Sequence, residues 1–251
     1  MFRDRLRAEI IPVQELSSGL IDRLYLLYDH SYDGADGERF YADLREKHWI
    51  ILLLDSSNQR PVGFSTQMLV RVIVHGQSIR ALFSGDTIIH PDYWGSQELV
   101  RAWCRFAGRL KANLGNLPLF WFLISKGYRT YLYLSCFFRA FHPRYDVQTP
   151  AFEAQLIRGL GMMKYPNEFN PCTGVVEHGG RHDRLKSELD STEKHLRNPH
   201  VEYFVRRNPY YWKGDELVCV AEIAPHNMRS IAKRELAIGL QSVDPLPAAQ
   251  L

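Results

Sequence analysis

Two side chains that can transfer protons lie close together near the end of one apolar stretch. Asp86 and His90 are four residues apart, which puts them on the same face of a β-strand if no bulge intervenes. Partial burial raises the pKa of a carboxyl, and a histidine titrates near neutral pH without any shift. Each is therefore a candidate general base. The alternative for each is a structural hydrogen-bonding role at a strand end or in a loop.

Gly85 precedes Asp86 in the middle of the same stretch. A glycine inside a strand commonly marks a β-bulge or a point where another backbone or a ligand comes close. The sequence therefore predicts an irregular point in the strand beside the candidate base.

Other possible ligand and nucleophile patterns are weaker. His178, His182 and Asp183 lie in the segment HGGRHD, but no third ligand stands at a defined spacing, so no metal site is predicted. The cysteines are far apart and form no CxxC pair, which predicts reduced, mostly buried thiols. They are Cys104, Cys136, Cys172 and Cys219.

Apolar periodicity predicts the elements that must position the candidate base. Strands are predicted over 7–13, 49–54, 61–74, 79–89 and 118–124, and helices over 19–32, 38–47, from the N-cap Ser96 to Gly115, and over 127–141. The three strands between residues 49 and 89 form an antiparallel meander. The strands on either side of the third helix form a parallel pair with a crossover. The expected fold class is α/β, with a mixed sheet flanked by helices.

The chain remains structured after residue 145. The predicted elements are helices over 150–161, 184–197 and 225–240, a turn or helix over 201–207, extended chain over 174–178 and a strand after a turn at 213–215. Residues 1–145 are therefore expected to form the core, and residues 146–251 an α+β extension. This extension is expected to complete a pocket or to form an interface, a homodimer included.

Composition excludes several classes of protein. The 251 residues are 45% hydrophobic and 24% charged, which is ordinary for a globular chain. A formal charge of +3, spread along the chain, is too weak to predict nucleic-acid binding. No stretch approaches the roughly 18 apolar residues of a membrane span. The expected location is the cytoplasm.

The segment 83–99, FSGDTIIHPDYWGSQEL, resembles the strand, proline, aromatic and glycine run of the GNAT superfamily of N-acyltransferases. The order of elements over 7–144 is similar as well. The resemblance implies a GNAT-like core in residues 1–145, in which the loop between the fourth strand and the third helix binds the pyrophosphate of an acyl donor. Backbone N–H groups at a helix N-terminus suit such an anion.

The loop departs from the family's glycine pattern. Aligned at Gly95, it carries Trp94, Gln97 and Leu99 where the family has Gln or Arg, Gly, and a small residue. Three interpretations stay open: the donor is an acyl carrier protein, which lacks the adenosine pyrophosphate; the donor is acyl-CoA, bound less tightly; or the donor site has been lost. The residues implied in donor binding are Ser84, Gly85, Trp94, Gly95, Ser96, Gln97, Lys126 and Arg129.

The resemblance also implies a mechanism. An acyl thioester lies between the fourth and fifth strands, backbone N–H groups near Ser84 polarise its carbonyl, and a primary amine attacks it directly. Asp86 or His90 accepts the proton, and Tyr131, preferred to Tyr133, protonates the thiolate. The expected co-substrate is acyl-CoA or an acyl-phosphopantetheine carrier protein, with no tightly bound cofactor.

The transferred group is expected to be an acyl group other than an amino-acyl group. The length of the chain and the weakened loop are similar to those of large GNAT-like fatty-acyl transferases, which favours a long acyl chain. The acceptor is expected to be an amino acid, a peptide or a small molecule. The alternative function is a non-catalytic GNAT-like module that binds a carrier protein, a peptide or a lipid.

Overall fold

The structure is a computed structural model that describes residues 6–180, 182–242 and 246, without the side chain of Glu188. The strands are β1 (Leu6–Pro12), β2 (Tyr32–Asp33), β3 (Trp49–Asp55), β4 (Pro61–Val74), β5 (Gln77–Ile89), β6 (Leu119–Ser125), β7 (Phe169–Asn170), β8 (Val175–Val176), β9 (Arg184–Leu185) and β10 (Glu216–Glu222). The helices are α1 (Ser18–Ser31), α2 (Gly37–Glu46), α3 (Glu98–Leu114), α4 (Tyr128–Phe137), α5 (Ala151–Lys164), α6 (Pro199–Arg207) and α7 (Ser230–Leu240). None of these helices is long and apolar enough to cross a membrane.

Eight of the strands form one mixed sheet in the order β1-β3-β4-β5-β6-β10-β8-β7. Strands β5 and β6 are parallel, and the other neighbours are antiparallel. A two-residue turn at His75 and Gly76, both with positive φ, joins β4 to β5, as expected of a tight hairpin. The predicted α/β fold, with its meander and its parallel pair, is confirmed.

Alternating side chains divide the core between the two faces of the sheet. Trp49, Ile51 and Leu53 point to the face covered by α3, α4 and α7, where the largest hydrophobic cluster lies. The opposite face carries two smaller clusters. One is formed with α1 and α2, and the other with α5. The gap between these two clusters holds the candidate site described below.

The parallel pair separates at one end, and a bulge lies at the point of separation. Pairing between β5 and β6 stops at Ser84 and Leu123, after which β6 stays beside β10 and β5 stays beside β4. On β5, Gly85 and Asp86 together stand opposite the single residue Thr66 of β4. A Cβ atom on Gly85 would lie 2.6 Å from Thr66 Oγ1, so the position requires glycine. The sequence predicted either a bulge or a close approach at Gly85, and the structure has both.

The predicted helix over 184–197 is wrong. This segment forms β9, which pairs with β2, followed by two short 3-10 turns at Ser187–Leu189 and Thr192–His195. Its sequence has many charges but no continuous apolar stripe to bury. Long-range contacts hold it instead, for example the Tyr128 hydroxyl, which lies 2.8 Å from Ser191 Oγ.

Two helix boundaries also differ from prediction. Helix α4 ends at Phe137 and not at residue 141, because Phe138 leaves the helix to form a β-bridge with Met228. The same bridge delays the start of α7 to Ser230. Asn227 stabilises this junction, since its side chain accepts a hydrogen bond from the Ala140 N–H and donates one to the Ala140 carbonyl.

The segment after residue 145 shares the sheet and the core of the first part. Strand β10 pairs with β6 along six residues. Helix α7 packs closely against α3, because glycines at the crossing let the backbones approach. A Cβ atom on Gly239 would lie 2.1 Å from the Arg105 carbonyl oxygen, and one on Gly108 would lie 2.3 Å from the Leu236 carbonyl oxygen.

We predict that Gly239→Ala destabilises the fold by about 1–3 kcal/mol, because the added methyl group forces the two helix backbones apart. Chemical denaturation measures the change. Gly19→Ala in α1 is the matched control, since a Cβ atom there meets nothing within 4 Å. The control should be neutral or slightly stabilising. Equal effects of the two substitutions would contradict the close packing of α7 on α3.

Candidate active site

A polar cavity of about 120 Å³ lies beside the bulge, between the two smaller hydrophobic clusters. This volume has room for on the order of ten water-sized groups. Its walls come from α1, α2, the ends of β5 and β6, and the segment from β8 to β10. The lining side chains with ionisable groups are Tyr28, Tyr32, Arg39, Asp43, Asp86, Lys126, Tyr165, His178, His182, Asp183 and Glu216.

Asp86 is the carboxyl group that the bulge places in this cavity. Among the described residues, none donates a hydrogen bond to it. Burial and the neighbouring Asp43 carboxylate raise its pKa to about 7, and the Lys47 and Lys126 ammonium groups oppose this shift. A carboxyl with this pKa exists in both protonation states near neutral pH, which is what a general base requires.

An ion pair between a buried lysine and a partly exposed aspartate lies beside the bulge. The Lys47 side chain is inaccessible to solvent, and its Nζ donates to the Asp43 carbonyl at 2.9 Å and to Asp43 Oδ2 at 2.5 Å. Lys47 Cε would also be 3.0 Å from a Cβ atom on Gly85. The pair therefore packs against the backbone that carries Asp86. Its two charges shift the pKa of Asp86 in opposite directions, since the Asp43 carboxylate raises it and the Lys47 ammonium lowers it.

Lys126 lies in the same cavity and is held by two carboxylates. Its Nζ is 2.5 Å from Asp183 Oδ2 and 4.0 Å from Glu216 Oε1, and it lies 4.9 Å from the centre of the Tyr32 ring. Burial lowers the pKa of this lysine, but the two carboxylates outweigh burial and raise it, so the ammonium stays charged. Lys126 was predicted to bind the donor or an acidic partner, and the structure instead commits it to these internal ion pairs.

Two histidines form part of the wall. The rings of His178 and His182 stack with their centres 3.9 Å apart, and His178 Nε2 lies 3.1 Å from Glu216 Oε2. Burial, His178 and Arg39 lower the pKa of His182 to about 4, so this ring is neutral at pH 7. Within the described parts of the chain, no group of three His, Cys, Asp or Glu side chains is arranged to hold a metal ion.

The mouth between the separated strands is bridged by Trp94 and Arg129. The Trp94 indole N–H donates to the Ile89 carbonyl at the end of β5 (2.8 Å), and the Arg129 guanidinium lies over the Trp94 ring at 4.2 Å. Arg129 also donates to the Leu189 carbonyl and to Ser191 Oγ. These contacts connect the loop after β5 with the start of α4, which follows β6.

The remaining donor-loop residues lead into α3. Gly95 has a φ of +89°, a conformation that favours glycine, and a Cβ atom there would meet nothing within 4 Å. Gln97 is the N-cap of α3 and makes no side-chain capping bond. Ser96, which was predicted to be the N-cap, lies one residue earlier, and its hydroxyl accepts a hydrogen bond from the Glu98 N–H at 3.3 Å.

Ser84 belongs to a buried polar network on the opposite face of the sheet. Its hydroxyl donates to Gln67 Oε1 at 2.8 Å and accepts hydrogen bonds from the indole N–H groups of Trp103 and Trp121 at 3.2 and 2.9 Å. Gln67 in turn donates to Ser65, whose hydroxyl lies 2.8 Å from Thr87 Oγ1. The Ser84 side chain is therefore occupied inside the core and is not presented to a donor.

Two predicted catalytic residues lie outside the cavity. His90 follows the end of β5; its Nδ1 accepts a hydrogen bond from the Asp92 N–H and its ring stacks on His30. Tyr131 is fully buried and donates to the Pro143 carbonyl at 2.9 Å, and burial raises its pKa far above the ordinary value. For His90 the contact with Asp92 is of the kind expected from its structural alternative, and Tyr131 lies in the core.

Sequence patterns did not identify most of the residues around Asp86. Tyr28 and Asp43 lie on amphipathic helices whose polar positions look like ordinary surface, and Glu216 lies at the start of a strand. Two features of the sequence pointed to this wall. They were the clustering of His178, His182 and Asp183 and the basic residue Lys126 after β6. Both groups are in the cavity wall, where Lys126 pairs with Asp183 and the rings of His178 and His182 stack.

Comparisons with known proteins found similar structures only. No family model and no curated protein matches the sequence. A probable N-acyltransferase from Enterococcus faecalis is 14% identical with a TM-score of 0.39, and the match covers 51% of this chain and 31% of that one. An Escherichia coli GNAT family N-acetyltransferase in complex with CoA is 16% identical with a TM-score of 0.35, covering 49% of this chain and 63% of that one.

A third similar structure is the Saccharomyces cerevisiae N-myristoyltransferase with bound myristoyl-CoA. It is 13% identical with a TM-score of 0.38, and the match covers 49% of this chain and 29% of that one. This chain therefore spans less than two thirds of the length of each of the three proteins.

We predict that Asp86→Asn makes the protein more stable relative to wild type as the pH rises from 4 to 8. The pKa of Asp86 is raised in the folded state, so its contribution to stability is greatest below about pH 4 and is lost as the pH rises towards 7. After allowance for the part of the carboxyl that solvent reaches, the relative gain is about 1–3 kcal/mol.

Urea denaturation at a series of pH values measures this gain. Asp29→Asn removes an exposed carboxylate of α1 and is the control, which should not reproduce the trend. A constant difference between Asp86→Asn and wild type across the pH range would show that the Asp86 carboxyl is not shifted.

Proposed function

We propose that this protein is an N-acyltransferase that moves an acyl group from a thioester donor to a primary amine. One observation carries the proposal. At the point where the parallel strands separate, a bulge holds a carboxyl group in a cavity, without a hydrogen-bonding partner among the described residues and with a pKa of about 7. A gap between strands beside a poised base suits direct attack by an amine on a bound acyl group.

In the proposed reaction the acyl thioester lies in the gap between β5 and β6. The amine binds in the cavity and gives its ammonium proton to Asp86, and its nitrogen then attacks the thioester carbonyl carbon. A C–N bond forms, the C–S bond breaks and a thiolate leaves. Asp86 returns this proton to solvent, then accepts the second proton that the nitrogen loses as the C–N bond forms and releases it to solvent as well, so that the products are the amide and the thiolate. None of the described residues that line the cavity is a cysteine, and the scheme includes no acyl-enzyme intermediate on a thiol.

The scheme assigns no general acid to the thiolate. Tyr131 is held by the Pro143 carbonyl inside the core, away from the cavity. A thiol has a pKa of about 8.5, so a thiolate is an adequate leaving group near neutral pH without protonation by the protein. Asp86 alone therefore carries the proton transfer in this proposal, and His90 is left with its hydrogen bond to the Asp92 N–H.

The donor is proposed to be an acyl thioester of CoA or of a phosphopantetheinylated carrier protein. Arg129 at the mouth offers a cation to the donor's arm, whereas Trp94 partly blocks the mouth. Trp94 also occupies the Ile89 carbonyl, a backbone acceptor on the free edge of β5. The rival function, binding of a carrier, peptide or lipid without catalysis, would use the same gap.

The two functions are separated by thiol release. Purified protein is incubated with acetyl, octanoyl and palmitoyl thioesters of CoA and of a carrier protein, with and without amines, and free thiol is followed with a chromogenic disulfide. Amine-dependent release supports acyl transfer. Donor binding without release from any thioester would overturn the enzyme and support the binding module.

We predict that Asp86→Asn lowers kcat/KM by about 10²–10⁴-fold, the range typical of a lost general base. For the wild type, kcat/KM should rise with pH through about 7, the pKa of Asp86. Asp43→Asn removes an anion that raises the pKa of Asp86 and should move this rise to lower pH. Lys47→Met removes a cation that lowers it and should move the rise to higher pH.

The opposite signs of the two shifts make the test specific. Loss of either member of a buried ion pair also weakens the fold, so each profile is measured on protein shown to be folded by circular dichroism. If the two substitutions moved the pH dependence of kcat/KM in the same direction, or did not move it, Asp86 would not be the general base.

We predict that Trp94→Ala tightens donor binding by roughly three- to tenfold, because it frees the Ile89 carbonyl and opens the mouth between the strands. The melting temperature should change little, since the Trp94 side chain is 43% exposed. Titration calorimetry with acyl-CoA measures the affinity. Trp212→Ala, at an exposed tryptophan before β10, is the control. Unchanged affinity for every donor would show that the donor does not enter at Trp94.

A further inference from the structure

The cavity leaves two groups of opposite charge after its internal ion pairs are formed. Asp43 is paired with Lys47, and Lys126 is shared between Asp183 and Glu216, with His178 as a second partner of Glu216. Among the described residues that line the cavity, the Asp86 carboxyl and the Arg39 guanidinium remain.

Arg39 is incompletely satisfied where it stands. It lies in the first turn of α2, where its backbone N–H is held by Asp36 Oδ1 at 3.0 Å. Its side chain reaches Asp36 only at 4.0 Å, a distance for a loose ion pair, and 38% of the side chain is exposed. Nη1 is buried and has no hydrogen-bonding partner in the part of the chain that the structure describes. A guanidinium with a weak partner and an unused donor gains from an oxyanion that it can grip with two N–H groups.

The wall near Arg39 also suits an anion. His182 is neutral at pH 7, and the positive charge of Arg39 is one cause of its low pKa. A neutral imidazole carries one hydrogen-bond donor and one acceptor, and its N–H can donate to an anion that is bound to the guanidinium. Asp86 and Asp43 line the same cavity and suit a cationic ammonium group.

We infer that the acceptor is a small primary amine that also carries a carboxylate, with its amine at Asp86 and its carboxylate on Arg39. This inference rests on the proposed function and names the class of its acceptor, an amino-acid-type zwitterion. The cavity of about 120 Å³ has room for these two groups and the connection between them. A side chain on the acceptor would extend through the opening to solvent.

The test compares matched acceptors that differ only in the carboxylate. Glycine and alanine are set against glycinamide and alaninamide, with acetyl, octanoyl and palmitoyl thioesters as donors. Rates are expressed per concentration of free amine, because the amides are less basic. For the wild type we expect kcat/KM at least tenfold higher for the amino acids than for their amides.

Arg39→Gln should remove this preference. Its kcat/KM for glycine and alanine should fall by about 30-fold or more, while the value for the amides stays within threefold of wild type. Arg39→Lys should restore part of the preference, since an ammonium keeps the charge but loses the two-pronged contact. Arg45→Gln is the control, because Arg45 is exposed on the same helix and does not line the cavity.

The outcomes separate this inference from the proposed function. If amides and amino acids react equally well and Arg39→Gln is without selective effect, the acceptor inference is overturned and acyl transfer stands. If no donor and acceptor pair releases thiol, acyl transfer is overturned, and calorimetric titration with glycine and glycinamide then decides the inference. Glycine binding that is lost in Arg39→Gln supports the carboxylate site, and equal or absent binding of both compounds rejects it.

Discussion

The bulge at Gly85 and Asp86 is the constraint on which the site depends. Two residues of β5 occupy the space opposite Thr66, which turns the Asp86 side chain into the gap between two hydrophobic clusters. The bulge lies where β5 leaves its parallel partner, so that one irregularity both opens the sheet and aims the carboxyl. Glycine is needed because Thr66 Oγ1 and Lys47 occupy the place of a side chain. The network through Ser65, Gln67 and Ser84 holds the other face of the same strands.

The concentration of charge around this point reduces stability. A buried ion pair seldom stabilises a fold as much as well-packed apolar side chains, because both charges lose their hydration. Here Lys47 with Asp43, and Lys126 with Asp183 and Glu216, are gathered around one carboxyl that has no hydrogen-bonding partner among the described residues. Such an arrangement is typical of a functional site, where perturbed titration is useful and the rest of the core supplies the stability.

The segment after residue 145 contributes to the site through the sheet itself. Strand β10 pairs with β6 and places Glu216 beside Lys126, and the loop after β8 adds His178, His182 and Asp183. Helix α7 holds the other side of the sheet by its close contact with α3. One wall of the cavity and the support behind the parallel pair therefore both depend on chain that follows the region of GNAT resemblance.

The sequence alone determined the order of elements, the mixed sheet, the irregular point at Gly85 and the candidate base Asp86, because periodicity, turn residues and a mid-strand glycine are local signals. It did not determine which polar residues line the cavity with Asp86, since Arg39 and Asp43 come from α2 and Glu216 from β10, two elements whose local patterns resemble solvated surface. It also favoured His90 and Tyr131 by position along the chain. Only tertiary packing showed that one bonds within its loop and the other to Pro143, because the direction of a side chain depends on the helices and strands packed around it.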